Sequence, residues 1–175
     1  MIFQIKDDSS KVIFEYELTE EQQTWVYPKQ LGFVIIKAVE LKVNLARCNL
    51  MRANLGKANQ HLPTKGVTGS RLDGIDLTGA NLAKAQLADV NLSNANLTNV
   101  DLTRSSLIGA NLSNANLNGV KLVDANLSCV NLNNADLTNV NLSGAYLRGA
   151  TYNSKTKIRG VTYKMTKPYM FFQKD

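Results

Sequence analysis

Few side chains in this sequence are of the kinds that do chemistry, and none stands in a catalytic spacing. His61 is its single histidine, set between Gln60 and Leu62-Pro63. A proton relay needs a nucleophile and an orienting carboxylate beside the base, so an isolated histidine here reads as a loop residue. The two cysteines, Cys48 and Cys129, are too few for a four-ligand zinc site or a disulfide framework. Six aspartates, Asp73, Asp76, Asp89, Asp101, Asp124 and Asp136, are candidates for a metal site or an acidic stripe. Asn91, Asn96, Asn111 and Asn126 open Asn-x-Ser/Thr triplets, the glycosylation pattern, but residues 1–11 lack the form of a signal peptide and no glycosylation is expected. Near the C-terminus, Lys155, Lys157, Arg159, Lys164, Lys167 and Lys174 interleave with Tyr152, Tyr163, Tyr169, Phe171 and Phe172. That mixture can contact phosphates and stack on bases. The plainer reading is that the aromatics cover an apolar end while the lysines stay solvated. No cofactor motif is present.

Composition bounds the elements that could position these groups. The 175 residues are 44% hydrophobic and only 19% charged, with 7% aromatics and three prolines. Disorder needs low hydrophobicity and high charge, and neither is found. No apolar run approaches the roughly 18 residues of a membrane span, and 1–11 alternates without the form of a signal peptide. A cytoplasmic protein is expected. The net charge of +6 is unevenly spread: +3 over 1–71, −2 over 72–149 and +5 over 150–175.

The middle is a repeat. Leucine recurs every fifth residue at 16 successive centres: Leu72, Leu77, Leu82, Leu87, Leu92, Leu97, Leu102, Leu107, Leu112, Leu117, Leu122, Leu127, Leu132, Leu137, Leu142 and Leu147. Two residues before each centre stands a small residue, mostly Ala or Val, and Asn or Asp precedes 11 of the 16. Gly, Asn or Asp dominate two residues after. Five fits neither the helical nor the strand period. Two inward residues followed by left-handed-tolerant ones give a short extended side and a corner. Segments 91–100, 111–120 and 131–140 resemble one another, so the longer period is four pentapeptides, or four sides per coil. Stacked coils form a solenoid with a ladder spacing of about 4.8 Å.

The pattern Ala-Asn/Asp-Leu-x-x, as in Ala80-Asn81-Leu82, Ala95-Asn96-Leu97 and Ala135-Asp136-Leu137, resembles the pentapeptide repeat family over 43–149. The resemblance implies an all-β solenoid, a right-handed quadrilateral β-helix with a leucine core. It also implies a bacterial, especially cyanobacterial, setting and no known biochemical activity for most members. An earlier block, with Leu45, Leu50 and Leu55 as centres, stands out of register, because the step from Leu55 to Leu72 is not a multiple of five. The slip falls at 59–70, read as a coil with a bulged loop in which Leu62 and Val67 are irregular centres. About five coils are expected, roughly 25 Å of rod.

Both rod ends need covering. Residues 1–6 and 11–18 read as a hairpin. Thr19 with Gln22 fits a capping box for a short helix to about Tyr27, stopped by Pro28. A second helix is expected over 33–42. The organisation is thus a 1–42 cap, the 43–149 β-helix and a 150–175 basic aromatic tail.

The coil geometry places the candidates. Cys48 falls at a small inward position and should be buried and inert; Cys129 falls at an exposed corner. Asp101 should sit under Lys121, and Arg104 under Asp124, as cross-coil ion pairs. Asp76 and Asp136 lie three coils apart, too far to share an ion. Ile108, Val123, Cys129 and Tyr146, with Ala83 and Ala88, fall outside the inward positions on two adjacent sides and form the candidate partner face. Candidate tail contacts are Arg159, Lys164, Lys167, Tyr169 and Phe171.

The expected function is a non-catalytic interaction or scaffold module with an unidentified protein partner, no cofactor, no metal and no small-molecule substrate. One alternative is a gyrase-directed DNA mimic, since some members of the resembled family protect gyrase from quinolones. Those present an acidic surface, whereas this chain is +6. The other alternative is nucleic-acid binding through the basic tail. The chain is expected to be a monomer or a homodimer through one end.

Overall fold

If leucine ends one side of a coil every fifth residue, the residues after it must turn the chain. In the computed structural model they do. The structure describes residues 1–41, 45, 48–51, 72–162 and 172–174. At all 16 centres the leucine C=O accepts the N–H of the residue three on, as in Leu77 to Ala80 (2.9 Å) and Leu117 to Val120 (3.1 Å). The residue two after each centre is left-handed throughout, with φ between +55° and +70°. Asn, Asp and Gly tolerate that conformation best.

The Asn or Asp before leucine has its own task. In all 11 cases its Oδ1 accepts the backbone N–H two residues on, at 2.9–3.3 Å. This Asx turn satisfies an amide that the corner would otherwise leave without a protein acceptor.

Successive coils pair in parallel, each rung four pentapeptides after the one before, in four columns. One runs Asn81, Asp101, Lys121, Asn141; the next Gln86, Ser106, Asn126, Tyr146; the third Asn91, Asn111, Asn131, Thr151; the fourth Asp76, Asn96, Asn116, Asp136. Four columns make a four-sided parallel β-helix. All 16 leucines are buried, none more than 5% exposed. Ala and Val fill the other inward position. Among the described residues Ser105 is its one buried polar occupant, and its hydroxyl donates to Leu102 O at 2.7 Å, so the buried group is satisfied.

The first segment is a hairpin of β1 (Ile2–Lys6) and β2 (Val12–Glu17), then α1 (Glu20–Gln23) and α2 (Tyr27–Glu40). Thr19 and Gln22 form the capping box of α1. Pro28 does not stop this helix. It lies in the first turn of α2, where a missing N–H costs nothing and the fixed φ suits the helix. Phe3, Ile5, Leu18, Leu31, Val34, Ile35 and Ala38 share one apolar cluster with the leucines. Asn49 donates to Lys6 O (3.1 Å), and Asp7 bridges Cys48 in antiparallel sense.

Three rungs depart from the regular coil length. Asn49 pairs with Asn81, well beyond one coil, so the surplus chain falls within 51–71. Loop 59–70, with Leu62, Val67 and His61, lies outside the described residues. At the other end the ladder continues past Gly149, where the leucine period stops. Asp136 pairs with Lys157 and Asn141 with Thr162, each one position further than a regular coil. β3 (Ala150–Tyr152) pairs in parallel with β4 (Phe172–Lys174). One added residue between Tyr152 and Lys157 breaks the sequence period while the backbone register persists.

Candidate interaction face

Ile108 and Tyr146 sit on one side of the β-helix, each 42% exposed. Tyr146 precedes a centre and Ile108 follows one, so they stand near opposite corners of that side. Their positions differ by nearly two coils, or about 9 Å along the axis. The backbone beneath them is fixed. Tyr146 N donates to Ala125 O (2.9 Å) and its C=O accepts Leu127 N (2.7 Å); Ile108 O accepts Asp89 N (2.8 Å). Val123 is half-buried beside the corner that leads into this side, and its C=O accepts Arg104 N at 2.8 Å. Cys129 is exposed at the corner that leaves it, left-handed with φ +58°. Its Sγ lies 3.3 Å from where a Cβ on Gly149 would stand, so the glycine above leaves the thiol its space.

Charge borders the apolar residues. Arg104 and Asp124, stacked corner residues, pair at 3.6 Å with 65% and 46% of their side chains exposed. Such a pair contributes little to stability. Asp101 stacks beneath Lys121, but the expected ion pair does not form. Asp101 Oδ1 accepts Thr103 N at 2.9 Å in its Asx turn. A pair the sequence did not reveal links Lys157 to Asp136 at 3.0 Å. Its offset, one position beyond a regular coil, hid it. The Thr138 hydroxyl, and then Lys157, hold the Asp136 carboxyl below its ordinary 3.8.

The remaining candidates separate. Cys48 is buried, and burial, reinforced by Asp7 and Asp8, pushes its thiol up to about 11. A thiol so rarely ionised is a poor nucleophile. Arg159 is exposed, and its C=O accepts Asn139 N at 2.7 Å. Lys164, Lys167, Tyr169 and Phe171 lie outside the described residues. Among the described residues no group of three or more His, Cys, Asp or Glu could hold a metal ion. No helix among them is long and apolar enough to cross a membrane. The other two sides of the coil present mainly Asn, Ser and Thr.

Eight copies of the pentapeptide repeat model match residues 67–98, 85–123 and 115–151. The chain belongs to the pentapeptide repeat family. Its four ladder columns are those of a right-handed quadrilateral β-helix, the family architecture. This pentapeptide repeat protein is similar to one from the Arabidopsis thaliana thylakoid lumen, at 30% identity and TM-score 0.41, over 53% of this chain and 60% of that one. It is similar to HetL of the cyanobacterium Nostoc, a protein involved in heterocyst differentiation regulation, at 32% identity and TM-score 0.34. That match covers 69% of this chain and 46% of HetL. It is also similar to a pentapeptide repeat protein of the cyanobacterium Cyanothece, at 31% identity and TM-score 0.34, over 74% of this chain and 97% of that one. The chain thus spans only about half the length of the first two. No curated protein matches it.

Proposed function

We propose that this pentapeptide repeat protein is a non-catalytic interaction or scaffold module that presents one edge of a rigid β-helix to a protein partner. The carrying observation is the contrast between sides. Two adjacent sides bear Ile108, Val123, Cys129 and Tyr146, and the other two carry mainly Asn, Ser and Thr, with no large apolar residue facing out. Rigid, outward apolar residues on a fixed ladder lose little entropy on docking. The reading takes 1–42 as a cap, about five coils as the rod, and 150–175 as its closure. It places the protein in the cytoplasm of a bacterium. A DNA-mimic role against gyrase is disfavoured by the +6 charge.

The test compares three tagged forms in pull-downs from host lysate: wild type, Ile108→Glu with Tyr146→Glu, and Ser113→Glu with Asn118→Glu on the opposite sides. The expected result is a stoichiometric protein captured by the first and third and lost from the second. Equal capture by all three would overturn the face assignment. Capture of nucleic acid alone would overturn the reading itself.

A further inference from the structure

The side that carries Asn81 and Asp101 is one continuous ladder. It runs from β2 through β1, which meets Cys48-Asn49, then through Asn81, Asp101, Lys121 and Asn141 to Thr162. Among the described residues, β2 is its edge at one end and Thr162 at the other. Open edges invite pairing with another chain.

The two ends are oppositely charged. Residues 1–41 hold seven acids and four bases, net −3, whereas the described 142–162 hold four bases and no acid, net +4. Glu17, Glu20 and Glu21 are exposed beside exposed Ile2, Val26 and Tyr27. At the far end, exposed Lys155, Lys157 and Arg159 flank Ile158, which is 49% exposed. Seven ladder steps separate the ends, so they stand on the order of 34 Å apart. The Debye length at physiological salt is about 8 Å, so within one rod they do not neutralise each other.

We propose that copies of this chain associate head to tail, the acidic β2 end of one rod docking on the basic C-terminal end of the next. Like ends repel, which opposes the symmetric end-to-end dimer. Unlike ends attract and bring apolar residues with complementary rims into contact. The contact is heterologous, so it propagates into a line of rods.

Sedimentation of the full, nucleic-acid-free chain tests this. At about 50 mM salt the average mass should exceed 19.2 kDa and rise with concentration; near 1 M, where the Debye length is about 3 Å, it should return to 19.2 kDa. Glu17→Lys with Glu21→Lys leaves both ends basic, and Lys155→Glu with Arg159→Glu turns the Lys155, Lys157 and Arg159 patch around Ile158 from +3 to −1. Each variant alone should stay a single chain, and a 1:1 mixture should regain association. Recovery on mixing excludes misfolding as the cause of the loss. A mass fixed at 19.2 kDa in low salt, association indifferent to salt or to either reversal, or association abolished by nuclease would each overturn the proposal.

Discussion

At the scale of single residues, two requirements act on the corner, and glycine meets both. Gly74 is left-handed at φ +70° with open space where a Cβ would stand. Gly144 has the same φ, but its Cβ would meet the Asp124 carboxylate that leans over it from the coil below. Gly74→Ala should therefore cost about 1–2 kcal/mol, the left-handed penalty alone. Gly144→Ala should cost more, because Asp124 must also give way and release Arg104. Denaturant melts of both, and of Gly144→Ala combined with Asp124→Ala, separate the terms; the double variant should fall back toward Gly74→Ala. Leu112→Asp puts an unpaired carboxylate among leucines and should abolish the β-sheet signal in circular dichroism. A soluble variant with an unchanged spectrum would contradict the core assignment. Asp136 links a corner to acid sensitivity. Its folded pKa is lowered, so its stabilisation is complete above the unfolded value of 3.8 and is lost as pH falls through the folded one. The melting-temperature advantage over Asp136→Asn should hold at neutral pH and shrink below 3.8.

At the scale of elements, the legible parts were those written in side-chain period. The inward leucines, the corner residues and the four-sided coil follow from the pentapeptide spacing and its fourfold multiple, and so does the exposure of Ile108 and Tyr146. What escaped was set by backbone. The coil containing Lys157 and Thr162 has no leucine at all and one added residue, so the side-chain period could not show it while the ladder bonds stayed in step. The Asp136–Lys157 pair was hidden for the same reason. Pro28 misled because the same ring that ends a helix is welcome at the start of one. The Asp101–Lys121 pair does not form although the two stack, and the Asx turn is not the cause, because Asp136 makes the same turn through Oδ1 and still pairs with Lys157 through Oδ2. Because Leu137 N and Leu142 N donate to Lys157 O and Thr162 O, ending the chain at Gly149 strips the partners from the last leucine-bearing sides. Residues 1–149 should melt several degrees below the full chain.

At the scale of the whole molecule, a coil touches its two neighbours and little else, so stability is a sum of near-equal stacking steps. Exposed charge reversals on the last coil should change association far more than melting temperature, which thermal scans of the two end variants would check. The ladder hydrogen bonds also lie along the rod while the covalent thread runs across it. Tension applied to the two termini would therefore load one rung at a time, as on a spool. Each yielding coil would surrender about 4.8 Å of rod and release its whole length of chain, about 70 Å of thread. This small rigid body carries within it a long extensible tether, let out in even steps from whichever end gives first.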